Sequence, residues 1–280
     1  MFAAFTVCRT ASRRHAPKAQ MLTYEEIEYV SEIFVSLGIE KIRLTGGEPM
    51  LRRDIETLVS KIARLDGLFD LSLTTNGFSL PERARGLKDA GLQRITVSLD
   101  SLRREAFQRI TGVDMLDSVL AGIQAAKSVG LTPVKVNAVI VRGHNEEEVP
   151  EMAAFAREHD ISMRFIEFMP LDSGHDWSRE MVVPGREIRE RISKCFPLVA
   201  KSGTRGSETA SRYVFADGAP GEVGIIAPVT EAFCGACSRI RLTADGQIRT
   251  CLFSKVKPLC AMYYEMVRRA VKSLNIYGEW

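Results

Sequence analysis

From Thr23 onward, apolar residues recur first at helical spacing and then at strand spacing, in turn. Ile27, Val30, Ile33, Phe34 and Leu37 repeat every three or four residues, and Thr23 with Glu26 in front of them has the spacing of a capping box. Gly38 closes that helix, because glycine is the usual residue past a helix end. Lys41 to Thr45 reads as a strand that runs into Gly46-Gly47-Glu48-Pro49, and Asp54 then opens a helix with Ile55, Leu58, Val59 and Ile62 on one face. The alternation continues with strands at 71–75, 94–100, 134–141 and 162–168, and helices around 117–129 and 146–158. Strands alternating with helices predict βαβ units and a parallel sheet. Five strands in series with no hairpin among them predict an α/β barrel or partial barrel, whose chemistry gathers where the strands end. Beyond about residue 200 the short runs 212–215 and 222–228 predict antiparallel strands that feed a C-terminal lobe. The expected divisions are a leader over residues 1–20, a barrel over 21–200 and a lobe over 201–280.

Composition adds little to that picture. Of 280 residues, 45% are hydrophobic and 26% charged, as in an ordinary globular protein. A net charge of +3 gives no reason to expect nucleic acid, and no apolar run reaches membrane-spanning length. Six cysteines in a chain of this size do not make a disulfide framework, so a reducing compartment is expected. The first twenty residues hold four bases and no acid, which fits a mitochondrial transit peptide or an unspecified N-terminus. Cytoplasm is the expected location, with the mitochondrial matrix as the alternative.

The chemistry is concentrated in FCGACSRIRLTADGQIRTCLF. Cys234, Cys237 and Cys251 stand there as C-x2-C-x13-C, beside Arg239 and Arg241. Asp245-Gly246 lies between two alternating runs and predicts a two-residue hairpin turn. Pairing Ala244 with Gln247 would set Cys251 opposite Ile240 and fold the third thiol back beside the first two. Three thiolates suit a metal or an iron–sulfur cluster and leave one coordination position open. A zinc site with Cys260 as fourth ligand is the alternative, and three unrelated core thiols is the plainest reading. Cys195 reads as a core residue, Cys8 stands alone, and no pair of histidines has metal-binding spacing.

Arg43, Lys135 and Arg164 lie inside predicted strands, where a long cation is costly unless it is paired. Ion pairs with Glu48 or Glu167 would account for them structurally. With Arg239 and Arg241 they make five cations that could converge on an anion, and arginine forks suit a polyphosphate. The Gly46–Gly47 turn exposes backbone to a ligand or simply tightens a βα connection, and Glu48 within it favours a ligand amine or hydroxyl.

Together KIRLTGGEPMLRRD, LTTNG, ITVSLDS, VKVNAVIVRGHN, MRFIEFMPL and the cysteine hairpin resemble the radical AdoMet superfamily, and within it the GTP 3′,8-cyclase family of molybdenum cofactor biosynthesis. The resemblance runs from about Ala16 to Phe253. It implies a partial (βα)6 barrel of TIM type with a small cluster-binding lobe. By motif position, Gly47, Ser98 and Met169 would contact AdoMet, while Arg43, Thr74, Lys135, Arg239 and Arg241 would contact GTP, with Arg164 among the same cations. Cys234, Cys237 and Cys251 would hold a 4Fe-4S cluster whose open iron takes GTP. The implied reaction is abstraction of a ribose C3′ hydrogen by a 5′-deoxyadenosyl radical, followed by attack on guanine C8. A downstream cyclic pyranopterin monophosphate synthase would take the product, and a homodimer is possible on the same grounds. The family also carries an upstream CxxxCxxC loop for a second cluster and a C-terminal Gly-Gly. Here Cys8 is the only thiol before Cys195, and the chain ends NIYGEW. On that reading the sequence is either a cyclase truncated at both ends or a non-catalytic module that binds one cluster and GTP. The chain as written is expected not to perform the radical step.

Overall fold

Five helix-and-strand repeats build one wall of parallel strands, as the hydrophobic periodicity dictates. The computed structural model describes residues 21–171, 177–202 and 208–253; the leader, Cys8 and Cys260 lie outside them. In chain order come α1 (Tyr24–Ser36), β1 (Lys41–Leu44), α2 (Ile55–Ala63), β2 (Asp70–Thr75), α3 (Leu80–Asp89), β3 (Arg94–Ser98), α4 (Arg104–Thr111), α5 (Leu116–Ser128), β4 (Lys135–Ile140), α6 (Val149–His159) and β5 (Ser162–Glu167). Then follow α7 (Gly185–Cys195), β6 (Leu198–Ala200), β7 (Ser211–Phe215), β8 (Glu222–Ile226) and a small hairpin of β9 (Arg241–Leu242) and β10 (Ile248–Arg249).

Local signals set the helix ends. The Thr23 side chain accepts from Glu26 N at 3.2 Å, and Glu26 Oε2 accepts from Thr23 N at 2.7 Å, so the capping box is complete. Asp54 does precede α2, but in the left-handed conformation (φ 52°) and without a capping hydrogen bond. Ile55, Leu58, Val59 and Ile62 are all buried, each contributing about 1.5–3 kcal/mol relative to an exposed side chain. The helix expected from residue 146 begins at Val149, because residues 146–148 form a 3-10 turn ahead of Pro150 in the first helical turn.

Residue 200 is no break in the sheet. β8 pairs in parallel with β5, and β7 pairs antiparallel with β8, so the eight strands lie in the order β1-β2-β3-β4-β5-β8-β7-β6. The strands read from the sequence as part of a C-terminal lobe therefore extend the barrel wall and add a sixth parallel strand. Leu73, Ile95, Val97, Val136, Ala138, Met163, Phe165, Val223 and Ile225 face the helices and form the core. The alternate residues of the same strands face the other way and are mostly polar, with Val139 and Ile166 packed in a small apolar cluster with Phe168 toward the strand ends. No helix among the described residues is long and apolar enough to cross a membrane.

Candidate functional site

Strand register collects the polar residues into three rungs across the concave face. Arg43, Ser72 and Arg94 form the first. Thr74, Thr96, Lys135, Ser162 and Glu222 form the second. Ser98, Asn137, Arg164, Gly224 and Arg212 form the third. Rungs two residues apart share a face, so this is one polar surface. Thr74, Lys135, Ser98, Arg164 and Arg43, expected from the sequence to carry the site, all lie on it. A Cβ on Gly224 would stand 3.2 Å from Arg164 Cγ, so that glycine makes room for the arginine stem.

The cations repel one another and are only partly neutralised. Arg94 is held bidentately by Asp70, and Arg212 and Lys201 share Glu222. Burial would raise the Glu222 pKa, but hydrogen bonds and charge from Arg212 and Lys201 outweigh it and bring it to about 2. Lys135 makes no ion pair among the described residues, and Glu222 favours its charge only at a distance. Burial, then Arg164, Arg94 and Arg43, bring its pKa down to about 7. Burial and Arg43 likewise lower Arg164 to about 10. Arg43 is solvent-exposed, and the protein atoms crowded around it, Arg94 and then Arg239 push its pKa down, against Asp70. Neither Glu48 nor Glu167 is the ion-pair partner that the sequence offered for these cations.

Asn137 Oδ1 and Arg164 Nε are buried and have no hydrogen-bond partner among the described residues. Buried polar atoms are rarely left so unless a ligand or water completes them. Asn137 and Arg94 belong to this surface but were not singled out by sequence reasoning. The signal that finds them is the strand alternation itself. A parallel strand covered on both faces reads as a continuous apolar run. Here Arg94-Thr96-Ser98, Lys135-Asn137 and Ser162-Arg164 put a polar residue at every second position.

At the C-terminal strand ends, Glu48 turns inward. Its Oε1 accepts from Thr75 Oγ1 at 2.8 Å and Met50 N at 3.0 Å, and its Oε2 accepts from Asn76 N at 2.6 Å. It therefore braces the turn after β1 against the end of β2. The turn itself stays open: a Cβ on Gly47 would meet nothing within 4 Å. Met169 is partly exposed just past β5, and its carbonyl accepts from Leu171 N at 2.7 Å.

The hairpin is tied to the chain just ahead of α1. Leu22 N donates to Ala244 O at 2.8 Å, and Arg239 lies close enough to β1 to lower the Arg43 pKa. Its register differs from the expected one by one residue. Ile248 pairs with Leu242 and Arg249 with Arg241, so the ladder is one residue off the register that would carry Cys251 to Ile240. The cause is the turn. Thr243 O accepts from Gly246 N at 2.9 Å and Thr243 N donates to Gln247 O at 2.8 Å, with Gly246 at φ 82°. That is a three-residue loop with a left-handed glycine, not the two-residue turn.

Cys234, Cys237 and Cys251 are exposed, and none of them forms a disulfide among the described residues. Cys237 Sγ accepts from Arg239 Nε at 3.3 Å, and the backbone and side chain of Arg239 lower the Cys237 pKa toward the thiolate. Arg239 also lies over the Phe233 ring at 5.6 Å. Cys251 Sγ accepts from Phe253 N at 3.4 Å. Among the described residues no three His, Cys, Asp or Glu side chains are gathered tightly around one point. Zinc would draw its sulfurs to about 2.3 Å from a single ion. A cubane cluster binds each thiolate at a different iron, so its ligands stand farther apart, and exposed soft thiols beside cations fit that donor set. Cys195 is exposed on α7, contrary to its reading as a core residue.

A partial parallel barrel with a polar inner face and an exposed-thiol lobe defines a protein of the radical SAM superfamily, whose family model matches residues 6–156; a second model, Molybdenum Cofactor Synthesis C, matches residues 161–265. Solved structures share the fold. SuiB of Streptococcus suis bound to S-adenosylmethionine aligns with a TM-score of 0.53 at 17% identity, covering 68% of this chain and 42% of that one. TYW1 with a lysine-pyruvate adduct aligns with a TM-score of 0.51 at 15% identity, covering 72% of each chain. At sequence level the similarity is far higher. The GTP 3′,8-cyclase of Streptomyces coelicolor is 49% identical over 85% of this chain and 70% of its own length. That of Acidothermus cellulolyticus is 48% identical over 85% of this chain and 66% of its own length. The chain thus spans about two thirds of the length of these relatives. It belongs to the GTP 3′,8-cyclase family. The comparisons lend no support to the alternative of an inactive binding module.

Proposed function

We propose that this chain converts GTP to its 3′,8-cyclised triphosphate as a radical AdoMet enzyme of molybdenum cofactor biosynthesis. One observation carries the reading: three cations, Arg43, Lys135 and Arg164, share one sheet face, and a thiol-bearing segment with two more brings Arg239 within electrostatic reach of Arg43, in a chain 49% identical to a GTP 3′,8-cyclase. Arg43, Lys135 and Arg164 take phosphate oxygens, which relieves their mutual repulsion. Thr74 lies between them on the second rung and orients the nucleotide by its hydroxyl. Gly47, Ser98 and Met169 line the strand ends where AdoMet would lie, with Gly47 leaving the space that a side chain would fill. Cys234, Cys237 and Cys251 would hold a 4Fe-4S cluster, which supplies an iron with an open position for the purine. Arg239 and Arg241 flank those thiols and offset the negative charge gathered there. Upstream of Cys195 the sequence holds one thiol, Cys8, outside the described residues. One thiol does not make the three-cysteine donor set of an AdoMet-side cluster, so the radical step would need further ligands for that cluster. What these residues themselves support is the binding of GTP, of AdoMet and of the cluster on the thiol lobe. The product would pass to an enzyme that rearranges the cyclised nucleotide into a pyranopterin.

The test is anaerobic reconstitution with iron and sulfide, then incubation with GTP, AdoMet and dithionite. Mass spectrometry of 5′-deoxyadenosine together with a GTP isomer confirms the proposal. GTP binding with neither product refutes the catalytic part of it.

A further inference from the structure

Arg241 and Arg249 are direct cross-strand partners in the β9–β10 hairpin. Opposed like charges destabilise a strand pair, so stability of the hairpin does not explain this arrangement. Asp245 in the adjoining turn makes no ion pair with either arginine; its two oxygens accept from the Thr243 hydroxyl and from Gln247 Nε2. Each arginine also has a buried nitrogen with no hydrogen-bond partner among the described residues: Nη1 of Arg241 and Nε of Arg249. The one-residue register is what brings them together, since the two-residue turn would have set Arg249 against Leu242 on the opposite face.

We propose that Arg249 is a further substrate-binding residue, forming with Arg241 a two-guanidinium clamp on phosphate oxygens of the nucleotide. An oxyanion between the two forks turns repulsion into attraction and gives both orphan donors an acceptor. Guanidinium binds phosphate bidentately and is less strongly hydrated than ammonium, so it suits a partly buried clamp. The identity of the anion as GTP rests on the function proposed above; the clamp itself requires only a polyphosphate.

The experiment measures binding of inorganic tripolyphosphate, GTP and guanosine to reconstituted parent, Arg249→Gln and Arg249→Lys proteins. Arg249→Gln should weaken tripolyphosphate and GTP by about tenfold, the value of a charged hydrogen bond, and leave guanosine unchanged. Arg249→Lys should recover part of the loss, since it keeps the charge and loses the fork. Iron content and thermal midpoint at the parent value would show that the hairpin still folds. Equal tripolyphosphate binding by parent and Arg249→Gln overturns the clamp, even if both proteins bind GTP. A change in cluster signal without a change in tripolyphosphate affinity overturns it too. If tripolyphosphate binding depends on Arg249 but GTP does not bind, the clamp stands and the cyclase reading falls.

Discussion

Glu167, the last residue of β5, accepts the hydroxyl of Thr230 on the segment that runs from β8 to Cys234. The carboxylate is fully buried and also accepts from Val229 N at 2.9 Å, Thr230 N at 3.0 Å and Gly185 N at 2.7 Å. One side chain therefore fastens the thiol-bearing segment and the start of α7 to a barrel strand end. Glu167→Gln would point an amide NH2 at backbone donors and remove the charge they stabilise. A loss of about 2–3 kcal/mol is expected, read as a lower denaturation midpoint at unchanged slope. Iron bound per chain should fall with it. A variant with parent stability and iron content would show that Glu167 does not position the lobe.

The Lys135 proton is a second handle. With a folded pKa of about 7, below the ordinary lysine value, the unfolded chain holds a proton between those pH values that the folded chain has lost. The contribution of this group to stability thus rises with pH through that window. Below pH of about 7 both states are protonated, and the full cost of burying the charge applies. Lys135→Met should gain most over the parent at low pH and least at high pH. Anion binding runs the other way, since phosphate restores the proton. GTP should bind the parent with proton uptake near neutral pH, measured by calorimetry in two buffers of different ionisation enthalpy. The uptake should be smaller in Lys135→Met, and identical uptake in both would contradict it.

Gly246 sets the hairpin register. At φ 82° any side chain is strained, and a Cβ would approach Leu22 Cδ2 to 3.3 Å. Gly246→Ala should cost about 1 kcal/mol, with Gly246→Asn milder because asparagine tolerates the left-handed region. The specific readout is amide exchange at Leu22, whose N–H is bonded to Ala244 O. That amide should exchange faster in Gly246→Ala.

Cys251→Ser should remove about four irons per reconstituted chain if three thiolates hold one 4Fe-4S cluster. Cys195→Ser, on α7, should remove none. Zinc without iron in the parent protein would contradict the cluster.

Much of the fold was legible as periodicity. Ile55, Leu58, Val59 and Ile62 could only be one face of a helix, and five strands separated by helices could only lie parallel. The Thr23–Glu26 box was readable because both partners are three residues apart. The sequence also separated the strands after residue 200 from the barrel, because a short antiparallel pair looks the same whether it stands alone or joins a larger sheet. Only the pairing of β8 with β5 decides that. Glu48 and Glu167 looked available for cations, and their backbone partners come from residues 28 and 63 positions away at the farthest.

The sequence by itself determined which residues could carry chemistry: three thiols in one short stretch, long cations in strands and glycines at a strand end. These follow from residue type and spacing, which are local properties. The tertiary structure decided which of them meet. Rungs of the sheet put Asn137 beside Arg164 and Arg94 near Lys135, across sequence distances that no periodicity encodes. In the hairpin, the left-handed glycine at position 246 shifted the pairing by one residue. Side chains on a strand alternate faces, so that single step moved Arg249 from the side of Leu242 to the side of Arg241.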